Sequence, residues 1–147
     1  MSSLRRLCFG ALVFLAAAAA AAGTPAVVFE TPGRVQLALQ QIAVQKSPAL
    51  TIHFSGYHDQ RCPADVQCIS AGEAQAFFWV AGQGIQPQVL ALPWNGSGQY
   101  ERGAQRLGMF RFALVSLEPR PLMNGEVNPA DYMAVLAVEV GPTAPAR

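Results

Sequence analysis

Groups that carry chemistry are scarce in this chain. Charged residues make up 13 % of its 147 positions, histidine occurs twice and cysteine three times. There is no Cys-x-x-Cys, so thiol exchange lacks its usual dithiol. No Gly-x-Ser-x-Gly elbow is present either. Ser97 in Asn95-Gly96-Ser97-Gly98 does not sit between a strand and a helix, and two histidines are no basis for a Ser-His-Asp arrangement. Without a glycine-rich loop opening a helix, phosphate cradling has no physical footing. A 3.6-residue apolar period is also missing beyond the N-terminal segment, which excludes helical folds.

That segment reads as an export signal. Arg5 and Arg6 precede an apolar run from Leu7 to Ala22, shorter than the ~20 residues of a spanning helix and ending in small residues. Cleavage near Ala22 or Gly23 is expected, with a retained anchor as the alternative. Cys8 precedes most of the apolar run, in the wrong place for lipidation, and leaves with the signal. Residues 23–147 then form one domain of about 125 residues, enough for a single core. Loss of Arg5 and Arg6 turns ten basic against nine acidic residues into eight against nine. So balanced a surface offers no electrostatic case for nucleic acid or anionic lipid.

What is present is alternation. Ala26–Glu30 is strand-like and Thr31-Pro32-Gly33 supplies a turn. Val35, Leu37 and Leu39 alternate with polar neighbours, and Ile42 and Val44 continue after a bulge at Gln40-Gln41. Leu50, Ile52 and Phe54 lead into a polar stretch, Asp59–Glu73. Ala74–Ala81 carries aromatics on both faces, as a central strand does, and Val89–Leu92 is a further short strand. Phe110, Phe112 and Leu114 alternate, the proline-rich Glu118–Asp131 is irregular, and Tyr132, Ala134, Leu136 and Val138 alternate again. Seven or eight short strands without crossover helices predict an all-β antiparallel sandwich, Ig-like or a partly closed barrel, and we prefer the sandwich.

Once Cys8 is gone, Cys62 and Cys68 are the remaining thiols of a protein bound for a periplasmic or secreted, oxidising location, so they are expected to pair. Asp59 and Arg61 read as a functional ion pair or as a brace, Asp59 taking backbone N–H groups and Arg61 taking loop carbonyls. The brace is preferred. Gly72 marks a backbone position needing positive φ or a bulge, Glu73 a solvated strand start.

Asp59-Gln60-Arg61-Cys62-Pro63, Cys68-Ile69 and Ala71-Gly72-Glu73 resemble the D-S-R-C-P…C-x-W-x-G signature of a group of small exported bacterial β domains. Phe110–Pro119 followed by Asp131-Tyr132 is similar to the group's closing strand pair. The resemblance covers most of the mature chain and implies a β domain with Pro63 and Gly72 in a structural turn. It implies no activity. Gln60 replaces the group's usual serine, and Ser70 its tryptophan, so no role of that indole carries over.

Two further chemistries have residue types to draw on. His53, His58, Cys62, Cys68, Met109 and Met123 are metal-ligating residue types, but Cys-x5-Cys is not a zinc-knuckle spacing. Histidines five apart share no face of a regular strand. Trp94, Tyr57 and Tyr100 are candidate anchors for a protein or carbohydrate partner, against the plainer reading that Trp94 covers the core edge. The resulting expectation is a monomeric, non-enzymatic binding or structural module of the cell envelope, without cofactor and without a membrane span after signal cleavage. The alternatives are a metal or small-ligand carrier and an inhibitor of an extracellular hydrolase.

Overall fold

The computed structural model describes residues 25–96 and 98–141. The signal-peptide reading, the Ser97 argument and the residues after Gly141 lie outside them. Among the described residues nine strands run β1 Val27–Val28, β2 Gly33–Ala38, β3 Ile42–Gln45, β4 Leu50–Arg61, β5 Gly72–Gly82, β6 Ile85–Pro93, β7 Gln105–Leu107, β8 Phe110–Glu118 and β9 Met133–Val140. They form two sheets, a five-stranded one ordered β1-β3-β4-β5-β6 and a four-stranded one ordered β2-β9-β8-β7. The fold is an open all-β sandwich, not a closed barrel. Every pairing is antiparallel except β1 with β3, which is parallel.

The inner faces follow the alternation. Val35 and Leu37, Ile52 and Phe54, Phe78 and Val80, Phe110, Phe112 and Leu114, and Ala134, Leu136 and Val138 are all buried. Phe54 stacks on Phe78 with centroids 5.2 Å apart, and Phe110 and Phe112 lie 6.2 Å apart. Full burial of each such side chain is worth about 1.5–3 kcal/mol, which makes this layer the main source of stability.

In β3 the face opposite to the one expected turns inward, burying Ala43 and Gln45 and exposing Ile42. Three further elements differ from the sequence reading. Gln40-Gln41 is not a bulge within one strand but a corner that carries the chain from one sheet to the other. Gln40 adopts φ 67°, its N–H donates to Phe54 O at 2.8 Å, and Gln41 Oε1 accepts from Ala38 N at 3.0 Å. Next, β4 does not end at Phe54. It runs to Arg61 with a bulge between Phe54 and Gly56, where Ser55 Oγ donates to Phe77 O at 3.0 Å. The extra residue switches faces, so Tyr57, Asp59 and Arg61 turn inward. His58 therefore sits within the strand and shares the outer face with His53, contrary to the spacing argument. Third, β7 is a strand that alternation over three residues did not announce. It lies beside β8, and Gln105 Nε2 donates to Ala91 O of β6 at 2.6 Å, tying the two sheets together.

Candidate functional site

The end of the sandwich where β4 meets β5 has a polar group built into its interior. Arg61 and Asp59 have side chains 1 % and 2 % exposed, a fork-to-fork pair. Arg61 Nε donates to Asp59 Oδ1 at 2.8 Å and Nη2 to Oδ2 at 2.7 Å. The guanidinium then crosses to the other sheet, with Nη1 donating to Leu117 O at 2.7 Å and Nη2 to Pro119 O at 3.0 Å. Its flat face lies 5.2 Å from the centre of the Trp94 ring. Asp59 Oδ1 also accepts from Arg61 N at 3.1 Å, and Oδ2 from the Tyr132 hydroxyl at 3.1 Å. A buried charge pair is stable only when its remaining donors and lone pairs are satisfied, and here nearly all are.

The electrostatics follow from that packing. Burial by itself would raise the Asp59 pKa, but the hydrogen bonds from the Arg61 side chain and backbone, the guanidinium charge and the Tyr132 hydroxyl outweigh it, and the carboxyl titrates below its ordinary value. Tyr132 is pushed well above the usual phenol range, first by burial and then by the Asp59 charge. Tyr57 stacks on Tyr132 with centroids 3.7 Å apart and is raised for the same two reasons.

Beyond the strand end, Cys62 and Cys68 are joined in a disulfide with Cα atoms 5.9 Å apart. The loop they close folds onto the β8–β9 connection. Ala64 N donates to Pro121 O at 2.9 Å, Arg120 Nη2 to Cys62 O at 2.6 Å, and Met123 N to Asp65 Oδ1 at 2.8 Å. That last bond holds the Asp65 carboxyl below its ordinary range. Gly72 closes the clasp with φ 72°, and a Cβ there would run into the Gln60 carbonyl. Pro63 is half-buried at its start.

Two open grooves flank this connection. One, about 590 Å³, is floored by Met133 and Val135 and rimmed by Gln36, Glu118 and Asp131. Its neighbour, about 420 Å³, shares Glu118, Pro119 and Asp131 and continues past Leu122 and Val127. Glu118 and Asp131 form no ion pair among the described residues, whose salt bridges involve only Asp59, Glu101 and Glu139 as acids.

The candidate anchors lie in different parts of the molecule, and Trp94 agrees with the reading that it covers the core edge. Trp94 and Tyr57 are half-buried against the core, their ring faces used by Arg61 and Tyr132. Tyr100, in a 3-10 turn at Tyr100–Gly103, has the Arg34 guanidinium 5.6 Å from its ring centre. The more exposed indole is Trp79, in an outer-face row Ile42–His53–Trp79–Val89 that crosses four strands. His53 Nε2 lies 3.1 Å from Gln40 Oε1. The two candidate thiols are in the disulfide, and among the described residues no three His, Cys, Asp or Glu side chains are grouped to hold a metal ion.

Sequence reasoning missed Tyr132 and Trp94 as parts of the Asp59–Arg61 group, and Arg120 and Asp65 as the ties between loops. The signal available was the length of β4: odd positions Tyr57, Asp59 and Arg61 form an alternating set once a bulge is allowed after Phe54. Compared with family models, curated proteins and solved structures, the chain matches none. No helix among the described residues is long and apolar enough to cross a membrane, which together with the disulfide is compatible with an exported protein.

Proposed function

We propose that the chain is an exported, non-enzymatic binding module, periplasmic or secreted, that presents the clasp end of its sandwich to a protein partner. The observation that carries this is the pair of adjoining grooves, whose apolar floor and unpaired Glu118 and Asp131 rim lie beside a loop held by the clasp. Rigid loops bind at low entropic cost, and mixed apolar and charged surfaces favour protein partners. The Asp59–Arg61 group supports a non-enzymatic role. Its acid, base and donors are spent on one another and on the Leu117 and Pro119 carbonyls, so none is free to act on a substrate. The covered faces of Trp94 and Tyr57 favour protein over carbohydrate, since sugar rings need a bare aromatic face.

A photo-crosslinker at Met133, with a control at Trp79 on the opposite sheet, tests the proposal in envelope extract. The expected result is one discrete adduct from Met133 and none from Trp79. The purified partner should then bind Glu118→Gln/Asp131→Gln at least about tenfold more weakly, a difference of ~1.4 kcal/mol. Equal labelling from both positions, or unchanged binding by the double variant, overturns it. A second reading, inhibition of an extracellular hydrolase, is favoured by Ile69, a fully exposed apolar side chain immediately after the disulfide-closed loop. Inhibition lost in Ile69→Ser would support that reading.

A further inference from the structure

The outer face of the five-stranded sheet carries three registered rows, Val44–Thr51–Ala81, Ile42–His53–Trp79–Val89 and Gly56–Phe77–Ala91. None holds a Lys, Arg, Asp or Glu. Trp79 stands at the centre with 37 % of its surface exposed, and its indole stacks on no other ring and meets no cation among the described residues. Thr51, Ala81, Ala91 and Gly56 around it are small, which leaves the ring face standing clear. An exposed tryptophan in an uncharged setting is informative, because its large apolar face is the kind of surface that a monomer covers when it can.

Beside the indole lies a polar group already oriented. His53 is the cross-strand partner of Trp79, which puts their Cβ atoms ~5 Å apart on one face. Gln40 Nε2 donates to Ser55 O at 3.1 Å, and since that carbonyl can only accept, Gln40 Oε1 is the atom that faces His53 Nε2 at 3.1 Å. His53 Nε2 therefore carries the proton, and in the neutral ring Nδ1 is an acceptor to which nothing donates among the described residues. Gln40 is fixed in turn by the corner between the sheets, where its N–H bonds to Phe54 O. The pair is thus held in place before any ligand arrives.

Shape and charge narrow the ligand. These rows line none of the molecule's principal depressions, and a flat face covers too little of a small molecule to hold it. An ionic polymer finds no opposite charge there. From Ile42 to Val89 and across the three rows the face measures roughly 14 Å by 14 Å, about 200 Å², against the ~800 Å² that a standard protein interface takes from each partner. A neutral sugar polymer meets all of these conditions. Its rings offer a C–H face to the indole and hydroxyls to the neutral polar side chains beside it.

We propose that this face binds a neutral polysaccharide, with one sugar ring on the Trp79 indole and a hydroxyl donating to His53 Nδ1. The site lies on the opposite sheet from the groove at Met133, so its fate is independent of the partner proposed above. Affinity electrophoresis of the purified exported chain tests it, in gels carrying hydroxyethylcellulose, glucomannan, amylose or, as the charged control, polygalacturonate. Retardation by at least one neutral polymer and none by polygalacturonate is expected. Trp79→Ala should weaken that binding at least about tenfold, Trp79→Tyr should keep part of it, and His53→Ala should weaken it severalfold. Both side chains are on the outer face, so the variants should keep the circular dichroism spectrum of the parent. The proposal falls if no neutral gel retards the chain, if polygalacturonate retards it equally, or if Trp79→Ala binds as well as the parent. Self-association in sedimentation that Trp79→Ala abolishes would overturn it too, assigning the face to a second copy of the chain.

Discussion

Two arginines in this molecule each meet carboxylates, and they sit in opposite settings. Arg61 lies between the sheets with its side chain 1 % exposed and Asp59 2 % exposed. Arg111 lies on the outer face of the four-stranded sheet, 29 % exposed, between Glu101 and Glu139, which are 48 % and 51 % exposed. Arg111 holds its proton more firmly than usual, first through the hydrogen bond to Glu101. Arg61 instead spans the sandwich and ties β8 to β4 through the Leu117 and Pro119 carbonyls. The same side chain is a surface ornament in one place and an interior tie in the other. Water decides which: an exposed pair trades hydration for a screened attraction, whereas a buried one has no hydration to return to when broken.

The sharpest way to break the comparison is to remove one partner from each pair. Arg61→Met leaves Asp59 buried and uncompensated and should cost about 3–5 kcal/mol in urea unfolding, while Asp59→Leu/Arg61→Met together should recover a large part of that. If the double variant is as unstable as the single, the pair is more than a charge match. The group also sets the pH limits. The depressed Asp59 pKa contributes stability that is present above the unfolded value near 3.9 and is lost as pH falls through the folded one. The raised Tyr132 pKa contributes below about pH 10 and is lost as pH rises past it. Asp59→Asn should therefore flatten the acid limb of a stability profile measured from pH 2 to 7, a range spanning the usual carboxylate values.

The clasp comes next in size. Cys62→Ser/Cys68→Ser opens a small loop, and the chain-entropy model gives about 2 kcal/mol. A loss as large as that of Arg61→Met would mean that the disulfide, not the ion pair, holds the β8–β9 connection. Least affected should be Glu139→Gln, at about 0.2–1 kcal/mol, diminishing further in 1 M salt, where screening acts within ~3 Å. An effect of several kcal/mol that salt leaves unchanged would erase the contrast between the two arginines.

Much of the sandwich was legible because its strands have one wet and one dry side. Leu50, Ile52 and Phe54, or Ala134, Leu136 and Val138, announce their inner face by period alone, and their burial agrees. The site was less legible. Asp59 and Tyr132 are 73 residues apart, and Arg61 reaches Leu117 O and Pro119 O 56 and 58 residues away, separations that no local pattern encodes. The bulge after Phe54 compounds this, since one inserted residue reverses every later face of β4. Trp94 is legible in part: the reading that it covers the core edge agrees with its half-buried place, but nothing local shows that its ring packs on Arg61.

By itself the sequence determined the all-β character and most inner-face residues, because side-chain alternation is a property of the local chain, although β3 buries Ala43 and Gln45 and turns Ile42 outward. Its cysteine content pointed to the Cys62–Cys68 pairing, because with Cys8 in the segment read as an export signal these are the two thiols left, and the structure joins them. The tertiary structure alone decided that Gln40 is a corner between sheets, that Asp59 and Arg61 are interior, and that the clasp rests on the β8–β9 connection. It also left the Gln45 oxygen buried without a partner. Such features depend on which distant strands lie side by side, and a buried polar group acquires its meaning only from the neighbours that take the place of water.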